Sequence, residues 1–391
     1  MRILNLFNQY LERGGEAVAV EAICASLSHV SEVERLDFYS SDWTGPGAPP
    51  AWQQALRMWR NPATIHRLRD SERGSKSDLW LVHNVFPVGS AAIYREAQRL
   101  EIPVVQYLHN YRPFSVNGYL WAGNRLAPQG LTKNYWPEIS AGAWQNSRVK
   151  TAWLASVLTA SHLLGWWRSV KVWIAISDFV KDKFISAGIP AEKVVTLRHF
   201  WRPGPAPEAA SGNHYLFLGR LTEAKGVKVL LDAWEKLEAE KGGATPLLCI
   251  AGEGPLRSYV QSRAASAGSI QFLGEISGDA KAEALRCAKA VIVPSIWWEP
   301  LGLVVYEGYE YERPVLAARS GGLPEIVLEG ETGLLHEPGD SATLAAQVMS
   351  LEEHPEKSQS MGQAGRQWLI RNADETQWQR RFQAIADLAL A

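Results

Sequence analysis

Short apolar, largely β-branched runs alternate along this chain with longer stretches in which apolar residues recur every three or four positions. That is the pattern of strands joined by crossover helices in a parallel sheet. It occurs twice. In the first half, strands are expected at Arg2–Phe7, Val33–Phe38, Leu79–Val82, Val104–Leu108, Val172–Ile176 and Val194–Leu197. Helical pattern covers Glu16–Leu27 and Asp178–Ala187, the latter closed by Gly188 and Pro190. The run Arg202-Pro203-Gly204-Pro205-Ala206-Pro207 can only be an extended connector. Beyond it, strands are expected at Tyr215–Leu218, Leu247–Ala251, Ile270–Leu273, Ala290–Val293, Val315–Ala317 and Gly333–Leu335. The expected fold class is α/β, with two doubly wound sheets: one domain over residues 1–200, a second over 201–373, and a helix over 374–391 packing back on the first. In such sheets ligands bind outside the carboxyl ends of the strands, so chemistry is sought there.

Composition narrows the class. The 391 residues carry 40 Lys+Arg against 41 Asp+Glu, with 46% hydrophobic and 21% charged residues, an ordinary globular mix rather than a disordered or fibrous one. Cys24, Cys249 and Cys287 are far apart and form no C-x-x-C pair, which excludes a disulfide framework or a zinc knuckle. The apolar run Met1–Phe7 is too short for a signal peptide or a spanning helix. A cytoplasmic setting, at most at the inner face of a membrane, is therefore expected. The near-zero net charge hides an asymmetry: residues 1–200 hold 22 basic and 16 acidic side chains, a net of +6, and the remainder nets −7. Of 17 tryptophans, 11 fall between Trp43 and Trp173. The segments 52–76 and 144–173 read either as helices lying at a membrane interface or as helices packed on their own domain.

Three strand-end segments could carry chemistry. The first is Gly219-Arg220-Leu221-Thr222-Glu223-Ala224-Lys225-Gly226, where two cations at a strand-to-helix turn suit a diphosphate. The same octapeptide reads equally as a glycine-bounded turn with solvated Arg and Lys. The second is Glu299 with Glu307 eight residues on, two turns apart and able to face one cleft, where carboxylates would accept hydrogen bonds from sugar hydroxyls. Acids at a helix start are also ordinary dipole partners. The third is Ser320-Gly321-Gly322-Leu323-Pro324-Glu325, whose glycines let backbone approach a ligand closely. No Asp-x-Asp occurs, so no metal-bridged diphosphate and no cofactor is expected.

In order and spacing, G-R-L-x-x-x-K-G, E-x7-E and G-G-x-P-E resemble the retaining glycosyltransferases of family 4, which have the GT-B architecture of two Rossmann-like domains facing a central cleft. The resemblance extends over essentially the whole chain. It implies transfer of a sugar from a nucleoside-diphosphate sugar, UDP-linked in preference to GDP-mannose, to a hydroxyl of a glycan or lipid-linked acceptor. It implies that Arg220 and Lys225 hold the diphosphate, that Glu299 binds sugar hydroxyls and that Glu307 binds the ribose. Gly219 and the backbone around Leu301, Gly302 and Leu303 would lie against sugar and phosphates, and Gly254, Phe272 and Leu273 against the base. Gly14 and Gly15 would approach the diphosphate from the first domain. His109, at the end of the strand Val104–Leu108, resembles the family's active-site histidine; with Glu299, Arg220 and Lys225 it makes the expected catalytic set. His83, Asn84 and Arg112 are the acceptor-side candidates. Where many members carry Asn and Asp at the interdomain connection this chain has Arg198-His199-Phe200-Trp201-Arg202, so Arg198 is a candidate phosphate ligand there. The competing readings are a non-catalytic nucleotide-binding assembly subunit and a GT-B nucleotide-sugar epimerase. A nucleic-acid partner is not expected, because the basic excess lacks any recognition module. Contact with an anionic membrane fits the basic, Trp-rich first half.

Overall fold

The structure is a computed structural model that describes residues 1–12, 14–205 and 212–391. Ala206 and Pro207 of the expected connector lie outside the described residues. Two compact units are present: Met1–His199 with Glu375–Ala391, and Phe200–Asp374.

The first unit is built on a sheet of β1 (Arg2–Gln9), β2 (Glu32–Tyr39), β3 (Leu79–Val82), β4 (Val104–Leu108), β7 (Val170–Ala175) and β8 (Val194–Thr196). A two-stranded hairpin of β5 (Trp121–Ala122) and β6 (Arg125–Leu126) stands apart from it. The sheet order is β2-β1-β3-β4-β7-β8 and every pairing is parallel. Because helices cover both faces, β1, β3 and β4 carry near-continuous apolar runs; Ile3, Leu4, Leu6, Phe7, Leu79, Trp80, Leu81 and Val82 are wholly buried. The last helix, Glu375–Leu390, belongs to this unit, where Trp378, Phe382 and Ala386 are buried and the Trp378 indole N–H donates to the Tyr107 hydroxyl (3.4 Å).

The second unit is built on β9 (His214–Leu218), β10 (Leu248–Ala251), β11 (Ile270–Gly274), β12 (Ala288–Val293), β13 (Val315–Ala318) and β14 (Gly333–His336), in the order β11-β10-β9-β12-β13-β14 and again all parallel. This is the doubly wound 3-2-1-4-5-6 order, with its switch point between β9 and β12. In the first unit the order reverses between β1 and β3. Each of the twelve expected strands exists, with no end moved by more than two residues.

The tryptophan surplus resolves residue by residue. Trp43, Trp80, Trp166, Trp167 and Trp173 are core, and the Trp167 ring packs on Tyr94 at 4.2 Å. Trp52, Trp136 and Trp153 are exposed. The expected helix or helix pair after Trp144 is one helix, Arg148–Leu163, followed by a 3-10 turn over Trp166–Ser169.

Candidate functional site

Strand ends bring candidate residues together in two separate clusters, one in each unit. In the second unit Glu299 follows β12, and its carboxylate is the hub. Its Oε2 accepts from Lys225 Nζ (2.6 Å), from the Trp297 indole N–H (3.0 Å) and from Ser295 Oγ (3.1 Å). The Lys225 ammonium lies 5.3 Å from the Trp297 ring centroid. Glu299 is 6% exposed, so the pair is held in place before any ligand arrives.

The backbone under this carboxylate depends on the glycine turn after β13. Gly321 has φ +62, and a Cβ there would stand 2.1 Å from the Glu299 carbonyl oxygen, while Gly322 N–H donates to that oxygen (2.8 Å). Thus G-G-x-P-E supports the first glutamate of E-x7-E. Gly226, which closes the octapeptide after β9, has φ +74 and a would-be Cβ 1.8 Å from the Pro294 carbonyl oxygen, so it ties β9's turn to β12's.

Other donor-side candidates take separate positions. Arg220 is exposed at the end of β9, one residue past Gly219. Glu307, in the helix Leu303–Glu310, does not share a partner with Glu299: it pairs with Lys281 (2.8 Å), and burial raises its pKa. Lys281 lies in the helix Gly278–Arg286, whose sequence has no feature that singles it out. Leu301 is buried, whereas Gly302 and Leu303 are half-buried. Phe272 and Leu273 end β11 half-buried, with the Arg257 guanidinium 5.7 Å from the Phe272 ring, and the Gly254 turn is locked by close approach to Leu221.

In the first unit Gly14 caps the helix Gly15–Leu27 after β1, with φ −113 and ψ 179. A Cβ on Gly14 would meet nothing within 4 Å. Packing therefore does not require glycine there, and the helix N-terminus is open.

His109, just past β4, belongs to a stack. Its ring lies 4.9 Å from Tyr107 and 5.2 Å from His199. Its Nε2 shares a 2.7 Å hydrogen bond with His83 Nδ1, and His83 Nε2 lies 2.9 Å from Asn5 Oδ1. Burial pushes the His83 pKa down to about 3, His199's to about 4, and His109's well below the usual histidine range, so the three rings are neutral. Asn5 Oδ1 can only accept, so His83 Nε2 donates to it and His83 Nδ1 accepts from His109 Nε2–H. His109 Nδ1 is left bare. It is buried and without a hydrogen-bond partner in the structure.

Two acceptor-side expectations change here. His83 has no exposed surface, and its Nδ1 is taken up by His109. Arg112 is also buried: its guanidinium donates to the Val116 carbonyl and lies 4.9 Å from the Trp144 ring, which makes it a brace for its own loop. Asn84 is 7% exposed, and its side-chain oxygen accepts from Phe86 N–H (3.1 Å). Arg198 is held by Asp178 (2.9 Å) rather than free for phosphate.

Glu16 is the residue whose importance the sequence conceals, because there it reads as a helix-start acid. Its carboxyl accepts from Asn110 Nδ2 (3.0 Å), the Tyr10 hydroxyl (3.2 Å) and Asn84 N–H (3.3 Å), and burial pushes its pKa up to about 7. It thus links the ends of β1, β3 and β4. Among the described residues no group of three or more His, Cys, Asp and Glu side chains is arranged to hold a metal.

Residues 205–368 match the family described as glycosyl transferases group 1. The D-rhamnosyltransferase WbpZ of Pseudomonas aeruginosa is 31% identical over 378 residues, covering 93% of this chain and 89% of that protein. The chain belongs to the group 1 glycosyltransferases. A GDP-mannose-dependent phosphatidylinositol monomannoside mannosyltransferase of Mycolicibacterium smegmatis is 28% identical to this glycosyltransferase over 238 residues, 54% of this chain and 60% of that one. Among solved structures, HepE of Anabaena with UDP superposes with TM-score 0.68 at 17% identity, covering 98% of this chain and 99% of its own. The sucrose-phosphate synthase of Thermosynechococcus elongatus gives 0.72 at 16%, covering 98% and 99%. These likenesses show the fold of the glycosyltransferase to be GT-B. The Glu299–Lys225 cluster falls within the segment that the family model matches.

Proposed function

We propose that this glycosyltransferase is a retaining, family 4 enzyme that moves a hexose or deoxyhexose from a nucleoside-diphosphate sugar to a hydroxyl of a glycan or lipid-linked acceptor. The observation that carries this is the buried Glu299 carboxylate, oriented by Lys225, Trp297 and Ser295 beside the Gly321-Gly322 turn. It presents remaining lone pairs to sugar hydroxyls, and Lys225 stands where a second anion can share its charge. The WbpZ likeness supports a sugar of the hexose class. UDP is favoured as the donor nucleotide because HepE was solved with it, and GDP is the alternative that the mannosyltransferase's name supplies.

Breaking the glycosyl–phosphate bond places negative charge on the departing diphosphate and positive charge on the sugar ring. Lys225, Arg220 and the helix-start amide at Gly15 are assigned to the first, and Glu299 to the second, as preorganised electrostatics. His109 Nδ1, fixed as an acceptor, receives a sugar hydroxyl. No pair of carboxylates of the glycosidase type is needed: on a same-face route the departing phosphate oxygen takes the acceptor's proton, and positioning supplies much of the rate. Glu307 takes the ribose hydroxyls once Lys281 yields. No metal is assigned a role.

The test is a thermal-shift panel of UDP, GDP, ADP and their sugar conjugates, because a ligand that binds only the folded state raises stability with the logarithm of its saturation. One diphosphate should shift the melt, equally in excess EDTA, and Arg220→Ala and Glu307→Ala should remove the shift. Glu299→Gln should keep the fold and lose about a hundredfold in kcat, the usual effect of removing one preorganised charge. No shift with any nucleotide, or near-normal turnover in Glu299→Gln, would overturn the reading.

A further inference from the structure

Two helices of the first unit form a face that the reaction does not use. They are Ala51–Trp59 and Arg148–Leu163, joined side by side where the Trp153 indole N–H donates to the Ala55 carbonyl (2.8 Å). On the shorter helix Trp52 and Leu56, four residues apart on one side, are 64% and 56% exposed. On the longer, Val149, Trp153, Ser156, Ala160 and Leu163 follow one another at spacings of three and four, and Val149 and Leu163 are more than 80% exposed. Among the described residues of the second unit only Tyr259 and Ile370 are large apolar side chains left comparably open, and singly. Scattered exposed apolar residues need no explanation, but two adjoining helices that both turn such residues outward do.

Charge says what covers them. No acidic residue occurs between Asp42 and Asp70, or between Glu138 and Asp178, so neither helix carries one. The helix packed beside the longer one, Trp136–Ala141, contributes only Glu138, which is buried and accepts from Ser115 Oγ (2.7 Å). Flanking the apolar stripe stand Arg57, Arg60, Arg148 and Lys150. Among the described residues, Arg57, Arg148 and Lys150 hydrogen-bond to the neutral oxygens of Gln53, Ser140 and Gln145. Tryptophan and leucine above an acid-free ring of cations match the two gradients of an anionic bilayer surface: apolar at the acyl boundary and negative at the headgroups. Among the described residues no helix is long and apolar enough to cross a membrane, so the contact is peripheral.

We propose that this face docks the protein onto an anionic lipid bilayer, in the plane of the headgroups. The docking stands without the proposed reaction; only its purpose, meeting a lipid-linked acceptor where that acceptor resides, rests on it.

Sedimentation with vesicles of equal parts phosphatidylcholine and phosphatidylglycerol tests it. The protein should pellet at low salt and be released on passing from 0.1 M to 1 M salt, as the screening length falls from about 10 Å to about 3 Å. Trp52→Ser/Leu56→Ser and Arg60→Glu/Lys150→Glu should each lower the bound fraction about tenfold or more while melting like the parent, because all four side chains are at the surface. Ile370→Ser should bind like the parent. No pelleting at low salt, equal pelleting on pure phosphatidylcholine, or undiminished binding by both double variants would overturn the proposal. Self-association abolished by Trp52→Ser/Leu56→Ser, without vesicle binding, would overturn it too and assign the face to a second copy. The nucleotide-induced melting shift should survive in both double variants. Loss of that shift from the parent with vesicle binding intact would sink the proposed reaction and leave the docking standing.

Discussion

Burial moves the titratable groups at the ends of β1, β3 and β4 in opposite directions. Glu16 is pushed up to about 7, so the folded protein holds this proton more tightly than the unfolded chain does. Its contribution to stability is therefore complete below the ordinary carboxyl value near 4.5 and is lost as pH rises through about 7. His83 and His199, pushed down to about 3 and about 4, act the other way: their contribution is present above about 6.5 and is lost as pH falls toward those values. The groups facing Glu16 are the Tyr10 hydroxyl, Asn84 N–H, Asn110 Nδ2 and the Arg112 charge. Glu16→Gln should thus melt close to the parent at pH 5 and above it at pH 8. Melting curves that stay parallel across that range would show that Glu16 titrates normally. The same substitution keeps the shape but only one of the two acceptor oxygens, Oε1 for Asn84 N–H and Oε2 for Asn110 Nδ2, so altered turnover with an intact melt would place the carboxyl in the reaction path.

At the scale of elements, the turns between strand and helix divide their glycines into two kinds. Gly321 is required by the protein itself: its φ of +62 and the 2.1 Å separation of a Cβ from the Glu299 carbonyl leave no room for a side chain. Gly321→Ala should cost roughly 1–3 kcal/mol in backbone strain, and more if the Glu299 loop shifts. It should lower the melting point and lose activity together. Gly14 is not so required, since its backbone is extended and the space around it is open. Gly14→Ala should melt within about half a kcal/mol of the parent, the usual range for a surface change, yet bind the nucleotide sugar more weakly. Equal donor affinity would mean that no ligand approaches the first helix at Gly14. The pair of variants separates glycine kept for folding from glycine kept for a ligand.

At the scale of the whole molecule, the chain closes by returning to its first unit. The helix Glu375–Leu390 buries Trp378 and Phe382 there, and Trp378 meets Tyr107, whose ring stacks on His109. Deleting residues 375–391 should remove about 1.5–3 kcal/mol for each large apolar side chain so buried. Calorimetry should show the first unit melting earlier while the nucleotide-induced shift, which the proposed function assigns to the second unit, remains. An unchanged profile would mean that the helix adds nothing to the first unit. The twelve sheet strands were legible in the sequence because a parallel sheet covered on both faces needs near-continuous apolar runs, and turn glycines and prolines mark their ends. The three motifs were legible because a strand end, a glycine turn and a helix start are contiguous in the chain. What the sequence could not show is which of these residues hold one another. That Lys225 grips Glu299, that Lys281 answers Glu307, that Asn5 sets the tautomer of His109 through His83, and that Glu16 joins three strand ends each depends on residues tens of positions apart. The alternation of apolar and polar positions determined two doubly wound sheets. Only the packing of those sheets decided burial, and burial decided which polar groups are paired, which stay neutral, and which tryptophans face outward.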